Sequence, residues 1–195
     1  MTALPVARLV GGLLAGLCLV TLVGCASVKL DATSASPLVL ERLRGSNLQP
    51  IQAGQFALAP GKPPEMDRTL SGLRGNSLTP AKGSFAGLLK DTLIVEMTAA
   101  GLYDAKAPVV VEADLTDSKV DAAIGTGSGR LAARFRVQRA GQKVYDKELA
   151  VDATWESSFV GAVAIPAAMN QYQALYKSLV LKLIDDPDFR RAAGR

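Results

Sequence analysis

The feature that most constrains this chain is a double alternation between residues 130 and 155. Arg130 to Arg139 sets Leu131, Ala133, Phe135 and Val137 on one face and Arg130, Arg134, Arg136 and Gln138 on the other. Lys143 to Trp155 sets Tyr145, Leu149, Val151, Ala153 and Trp155 on one face, with Lys147 among them, and Asp146, Glu148, Asp152 and Thr154 opposite. A period of two is that of a strand buried on one side. A hairpin turning at Ala140-Gly141-Gln142 matches the apolar faces and sets Arg136 across from Asp146, Arg134 across from Glu148 and Arg130 across from Asp152. A slip of one residue puts Phe135 across from Asp146 and mixes the faces, so pattern and charge select the same register. Each exposed pair is worth only a few tenths of a kcal/mol; their value is as register marks.

Around this hairpin the chain supplies further elements. Ser84 is placed to cap a helix in which Phe85, Leu89, Leu93 and Met97 recur every four residues beside Leu88, and Gly101 is placed to end it with Leu102 folding back. Val109 to Leu115 alternates as a third strand. A second helix is expected to open at Pro166, bury Met169, Tyr172, Leu175, Tyr176, Leu179 and Leu183, and end at Asp185-Asp186-Pro187, with a short helical turn through Phe189 and Arg190. Leu38 to Leu43 fits a strand or a short helix. Residues 45–83 are broken by Gly, Pro and Asn, and only Gln55 to Leu58 reads as extended. The expected fold class is α+β: a small antiparallel sheet of three to five strands with two amphipathic helices packed on one face and a wet, charged face opposite.

Composition removes most catalytic chemistries. The chain has no histidine, the commonest acid-base group near neutral pH and the commonest metal ligand. Its two cysteines are Cys18 and Cys25. Ser157 and Ser158 lack a nucleophile elbow or a lysine partner. Gly125-Thr126-Gly127-Ser128-Gly129 fits neither a dinucleotide fingerprint nor a P-loop, because Arg130 and a strand follow, so a flexible connection is expected there. The acidic residues alternate with basic partners as a solvated face and form no hydrolytic pair. The sequence thus points to no catalysis, no cofactor, no metal and no nucleic acid.

The N-terminal segment carries an address. A short stretch ending at Arg8 is followed by an apolar run from Leu9 to Val23, which is shorter than the roughly 20 residues that span a bilayer. Leu22-Val23-Gly24-Cys25 resembles the lipobox of bacterial lipoproteins. The resemblance implies cleavage before Cys25, a diacylglycerol on its thiol and an added fatty acyl chain such as palmitate. Ala26 stands where an aspartate marks inner-membrane retention, which favours the outer membrane. The expected organisation is a signal peptide over 1–24, a lipidated tether over 25–37 and one periplasmic domain over 38–195. Removal of 1–24 costs only Arg8, so 21 basic side chains face 18 acidic ones, a mild excess.

One stretch invites a contact role. Ser158 to Ile165 lies between the last strand and the second helix and is almost wholly apolar, and no charge occurs from Ser157 to Met169. It reads either as a loop packed over the core or as a surface for a partner or an apolar ligand, with Phe159, Val160, Gly161 and Val163 as contact residues. Phe159 itself is expected to be buried and Gly161 to Val163 exposed.

The lipobox, the helix ending in Met97-Thr98-Ala99-Ala100-Gly101-Leu102-Tyr103, the arginine-bearing hairpin and the final helix before Asp188-Phe189 resemble the uncharacterised YajG-type outer-membrane lipoproteins of Gram-negative bacteria. The resemblance covers residues 84 to 193 by layout and matches 38–83 poorly. It implies a location and a fold and supplies no catalytic residue. The expected function is that of a lipid-anchored, periplasm-facing envelope protein with an accessory or partner-binding role, its partners being the membrane and an envelope protein. The alternative is a carrier of an apolar ligand such as a lipid or a cell-wall fragment.

Overall fold

A computed structural model describes residues 27–30 and 34–195. In chain order the elements are β1 (Ser27–Leu30), α1 (Pro37–Arg44), β2 (Ile51–Leu58), α2 (Glu65–Arg68), β3 (Leu70–Leu73), β4 (Asn76–Pro80), α3 (Phe85–Ala99), β5 (Val109–Asp121), β6 (Gly125–Arg139), β7 (Gln142–Ser157), α4 (Gly161–Asp185) and α5 (Pro187–Ala193).

The β6–β7 hairpin has the expected register: Arg136 lies across from Asp146, Arg134 from Glu148 and Arg130 from Asp152. The turn is tighter than expected. Only Ala140 and Gly141 are unpaired, both at positive φ (51° and 76°), the requirement of a two-residue I′ turn, and a register shift between Val137 and Gln138 absorbs the difference. The charged side chains do not simply reach straight across. Arg130 holds Asp152 with both carboxylate oxygens at 2.7 and 2.8 Å, but Arg134 reaches diagonally to Asp146 at 2.6 Å and Arg136 turns to Asp114 on β5. Arg134 and Lys143 together hold the Asp146 carboxyl down at about 2.

The main sheet has a strand number within the expected range but is mixed rather than antiparallel. Four strands lie in the order β2-β5-β6-β7, with β2 parallel to β5 and the other pairs antiparallel. A second, three-stranded sheet, β1-β4-β3, was not anticipated, and the described residues form five helices rather than two. α3 packs over β2 and β5, and α4 over β6 and β7. The α+β class stands; the purely antiparallel sheet and the two-helix count do not. Within the expected tether, Ser27–Leu30 forms a strand and a helix begins at Pro37.

The core lies between the large sheet and α3 and α4. Phe85, Phe135, Tyr172, Tyr176 and Phe189 are its largest buried side chains. Tyr172 stands edge-on to both Phe85 and Tyr176, with ring centroids at 5.9 and 5.5 Å, and its hydroxyl shares hydrogen bonds with Ser118 Oγ at 2.6 Å and Tyr176 Oη at 3.0 Å. Burial pushes the Tyr172 hydroxyl up to about 12, so the trio is neutral at any physiological pH. Lys147, the one charge on the apolar face of β7, reaches Asp186 at 2.6 Å; the same carboxylate caps α5 through the amides of Asp188 and Phe189.

Ser84 caps α3 by accepting from the Gly87 amide at 2.9 Å, and the helix ends as expected, with Gly101 at φ 70° and the Leu102 amide donating to the Met97 carbonyl at 2.8 Å. α3 also serves α1. The Glu96 carboxylate, fully buried, accepts the Ser36 amide at 2.9 and 3.0 Å, at the start of α1. Burial raises the Glu96 pKa above its ordinary 4.5, only partly offset by the Ser36 amide and the charge of Lys177. A raised folded-state value means that the folded chain holds this proton more tightly than the unfolded chain. The resulting stability is complete below 4.5 and is lost as pH rises through the raised value. Glu96→Gln should therefore gain in melting temperature relative to the parent as pH is taken from 4 to 7. A difference that stays flat or falls over that range would show that the carboxyl does not titrate in this way.

Candidate functional site

Cys25 lies outside the described residues. The other predicted contact residues sit where β7 hands over to α4. The handover differs from expectation: α4 starts at Gly161, five residues before Pro166, so most of the predicted loop is the first turns of a helix. Pro166 is tolerated inside it because its missing N–H would have served the carbonyl of Ala162, on an exposed turn where water can replace it.

Phe159 is 79% exposed, which corrects the expectation that it is buried. The alternation of β7 points Ser157 inward, and the chain then turns away from the core before Phe159. Val160 is 55% and Val163 59% exposed, and Gly161 is half-buried. A residue from another element joins them: Ile124, between β5 and β6, is 63% exposed and, with Phe159 and Val163, lines an open depression of about 540 Å³. Ile124 carried no usable sequence signal, because a single isoleucine between strands has no periodicity.

The depression is held in shape by an arginine remote in sequence. Arg74 and Gly75 form the two-residue turn between β3 and β4, at φ 53° and 87°. Its guanidinium donates to the carbonyls of Ala122 at 2.6 Å, Ser158 at 2.6 Å and Phe159 at 2.9 Å, and to Ser157 Oγ at 3.2 Å. One side chain thus ties the end of β5, the end of β7 and the start of α4 to the small sheet. Hydrogen bonds from a charged donor contribute more than neutral ones, and acceptors left without partners add to the cost of removing it. Arg74→Ala should lower stability by about 2–3 kcal/mol and speed amide hydrogen exchange at the start of α4 above that of the rest of the helix. Uniform exchange along α4 in the variant would show that the clamp is not local.

The glycine run at the start of β6 has a packing cause. Gly125 to Gly129 is strand, not the flexible connection expected. A Cβ on Gly127 would meet Trp155 Nε1 at 2.3 Å and one on Gly129 would meet Leu175 Cδ1 at 3.1 Å, so the missing side chains admit the indole and a leucine of α4. A second, larger groove of about 700 Å³ is lined by Met66, Leu70, Val120, Arg130, Asp152 and Ala153, among others. Among the described residues there is no group of three or more cysteine and acidic side chains placed to hold a metal, and no helix long and apolar enough to cross a membrane.

No protein-family model and no curated protein matches the chain. Solved structures do. The chain is similar to a Xanthomonas campestris protein assigned to the family DUF330, at 14% identity over 82% of this chain and 95% of that one, with a TM-score of 0.53. It is also similar to a minor lipoprotein of Acinetobacter baumannii, at 14% identity over 74% and 95%, with a TM-score of 0.44. The first likeness shows a shared fold.

Proposed function

We propose that the chain is a lipid-anchored protein of the bacterial outer membrane, facing the periplasm, with an accessory binding role and no catalysis. The observation that carries the reading is Leu22-Val23-Gly24-Cys25 at the end of an apolar segment too short to span a bilayer, followed directly by the folded domain. The lipobox residues and the layout that resembles the YajG-type lipoproteins support the same placement. Its contact surface is the apolar tip of Ile124, Phe159, Val160 and Val163, preformed by Arg74 rather than shaped by whatever it meets. Ion pairs and hydrogen bonds account for the acidic side chains of the wet sheet face around Arg130, Arg134 and Arg136, which favours binding over acid-base work.

Cys25→Ala tests the anchor. The variant should accumulate uncleaved or soluble and should not fractionate with the outer membrane; normal recovery in that fraction would overturn the reading. A second reading, a carrier of an apolar ligand, is favoured by the groove beside Met66, Leu70 and Val120. Mass spectrometry of lipids extracted from the purified protein separates the two, since a carrier should yield a stoichiometric ligand and an accessory protein none.

A further inference from the structure

Where the chain enters the fold decides what the apolar tip faces. β1 runs parallel to β4, with Ser27 beside Ser77 and Leu30 beside Pro80, so Ser27 marks the same end of the small sheet as the Arg74-Gly75 turn. Arg74 in turn bonds to the carbonyls of Ser158 and Phe159. Cys25 is two positions ahead of Ser27, a reach of about 7 Å even when fully extended. Ser27, where the chain enters the fold, therefore lies at the end of the molecule that carries Ile124, Phe159, Val160 and Val163, while the β6–β7 turn lies roughly 40 Å away at the other end of those strands.

The chemistry of that end is mainly apolar. No charged residue occurs from Ala122 to Gly129 or from Ser157 to Tyr176, Glu156 stands at the rim of the depression, and the Arg74 guanidinium is turned inward onto carbonyl oxygens. Four large apolar side chains stand exposed there. Glu156 is the one charged side chain in the lining of the depression, and the headgroup-acyl boundary of a bilayer accepts such apolar side chains with a charge at their rim while the anchor holds them against it.

We propose that the tip rests on the bilayer that carries the anchor, with Phe159, Val160, Val163 and Ile124 seated in the headgroup-acyl boundary. The domain is then held at two points and oriented, with the β6–β7 turn directed away from the membrane. This rests on the lipid-anchor reading.

The test uses the full lipidated protein in vesicles of phosphatidylethanolamine and phosphatidylglycerol doped with nitroxide-labelled phospholipid. Phe159→Cys, Ile124→Cys and Val144→Cys, the last near the far turn, each carry one polarity-sensitive fluorophore. Labels at 159 and 124 should be quenched at least threefold more than the label at 144 and should shift to the blue. Vesicles that float with the protein while all three labels stay equally accessible to an aqueous quencher would leave the anchor standing and overturn the docking. Labels at 159 that stay wet on vesicles but crosslink to one envelope protein in cells would overturn it in favour of a protein partner. A protein that does not float with vesicles would overturn the anchor and the docking together.

Discussion

Tyr172→Ala should remove about 5 kcal/mol of unfolding free energy, the largest loss expected of any single truncation in this domain. The ring is fully buried between Phe85 and Tyr176, and its hydroxyl is the shared partner of Ser118 and Tyr176. Truncation leaves a cavity under two aromatic edges and strands two buried hydroxyls. Tyr172→Phe keeps the ring and should lose only about 1–3 kcal/mol. Urea unfolding of the two variants separates the packing contribution from the polar one. A loss below about 2 kcal/mol for the alanine variant would mean that the surrounding helices collapse into the space.

Gly72→Ala should cost about 3–5 kcal/mol. Gly72 sits in β3 at φ 107°, and a Cβ there would meet the Val120 carbonyl oxygen at 2.0 Å. Its own carbonyl accepts the Ala122 amide at 2.8 Å, so the small sheet and the end of β5 cannot separate to make room without breaking that bond. Gly75→Ala is the matched control. It has a similar positive φ, 87°, but nothing within 4 Å of the added methyl, and should lose only about 1 kcal/mol. Equal losses at both positions would mean that backbone strain alone decides, and that the close approach of β3 to β5 is softer than it looks.

The parts of the fold that could be read in advance are those whose cause is local. The β6–β7 register follows from alternation and charge within 26 consecutive residues, and the Ser84 and Gly101 ends of α3 follow from chemistry within one turn. The parts that could not be read have distant causes. β1 has its partner about 50 residues away in β4, and strands of four and five residues are too short to show a period. The glycines of β6 read as a flexible connection because the indole that fills the place of Gly127's missing side chain is Trp155, on the neighbouring strand. Pro166 looked like the start of α4 because sequence alone does not reveal that the turn before it is exposed and wet. Lys147 on an apolar face was legible as an anomaly, and its answer, Asp186, lies 39 residues on.

The candidate site divides in the same way. The charge-free stretch was visible, but its direction was not, since Phe159 faces solvent only because Arg74, 85 residues earlier, fixes how the chain leaves β7. Ile124 joins the surface through the β5–β6 connection, a proximity that no spacing within either segment encodes.

The parallel pairing of β1 with β4 has a mechanical consequence. Tension applied to the chain ahead of Ser27 and directed along the strand axis loads the Ser27–Leu30 ladder in shear, so its hydrogen bonds resist together instead of opening one after another. The Ala81 amide donates to the Leu30 carbonyl at 2.7 Å at the far end of that ladder, and the Leu30 side chain is buried in the core, so the load passes into the body of the domain. Four residues make a short lap joint, but in this geometry a pull along the strand is shared over its whole length and does not peel it from one end.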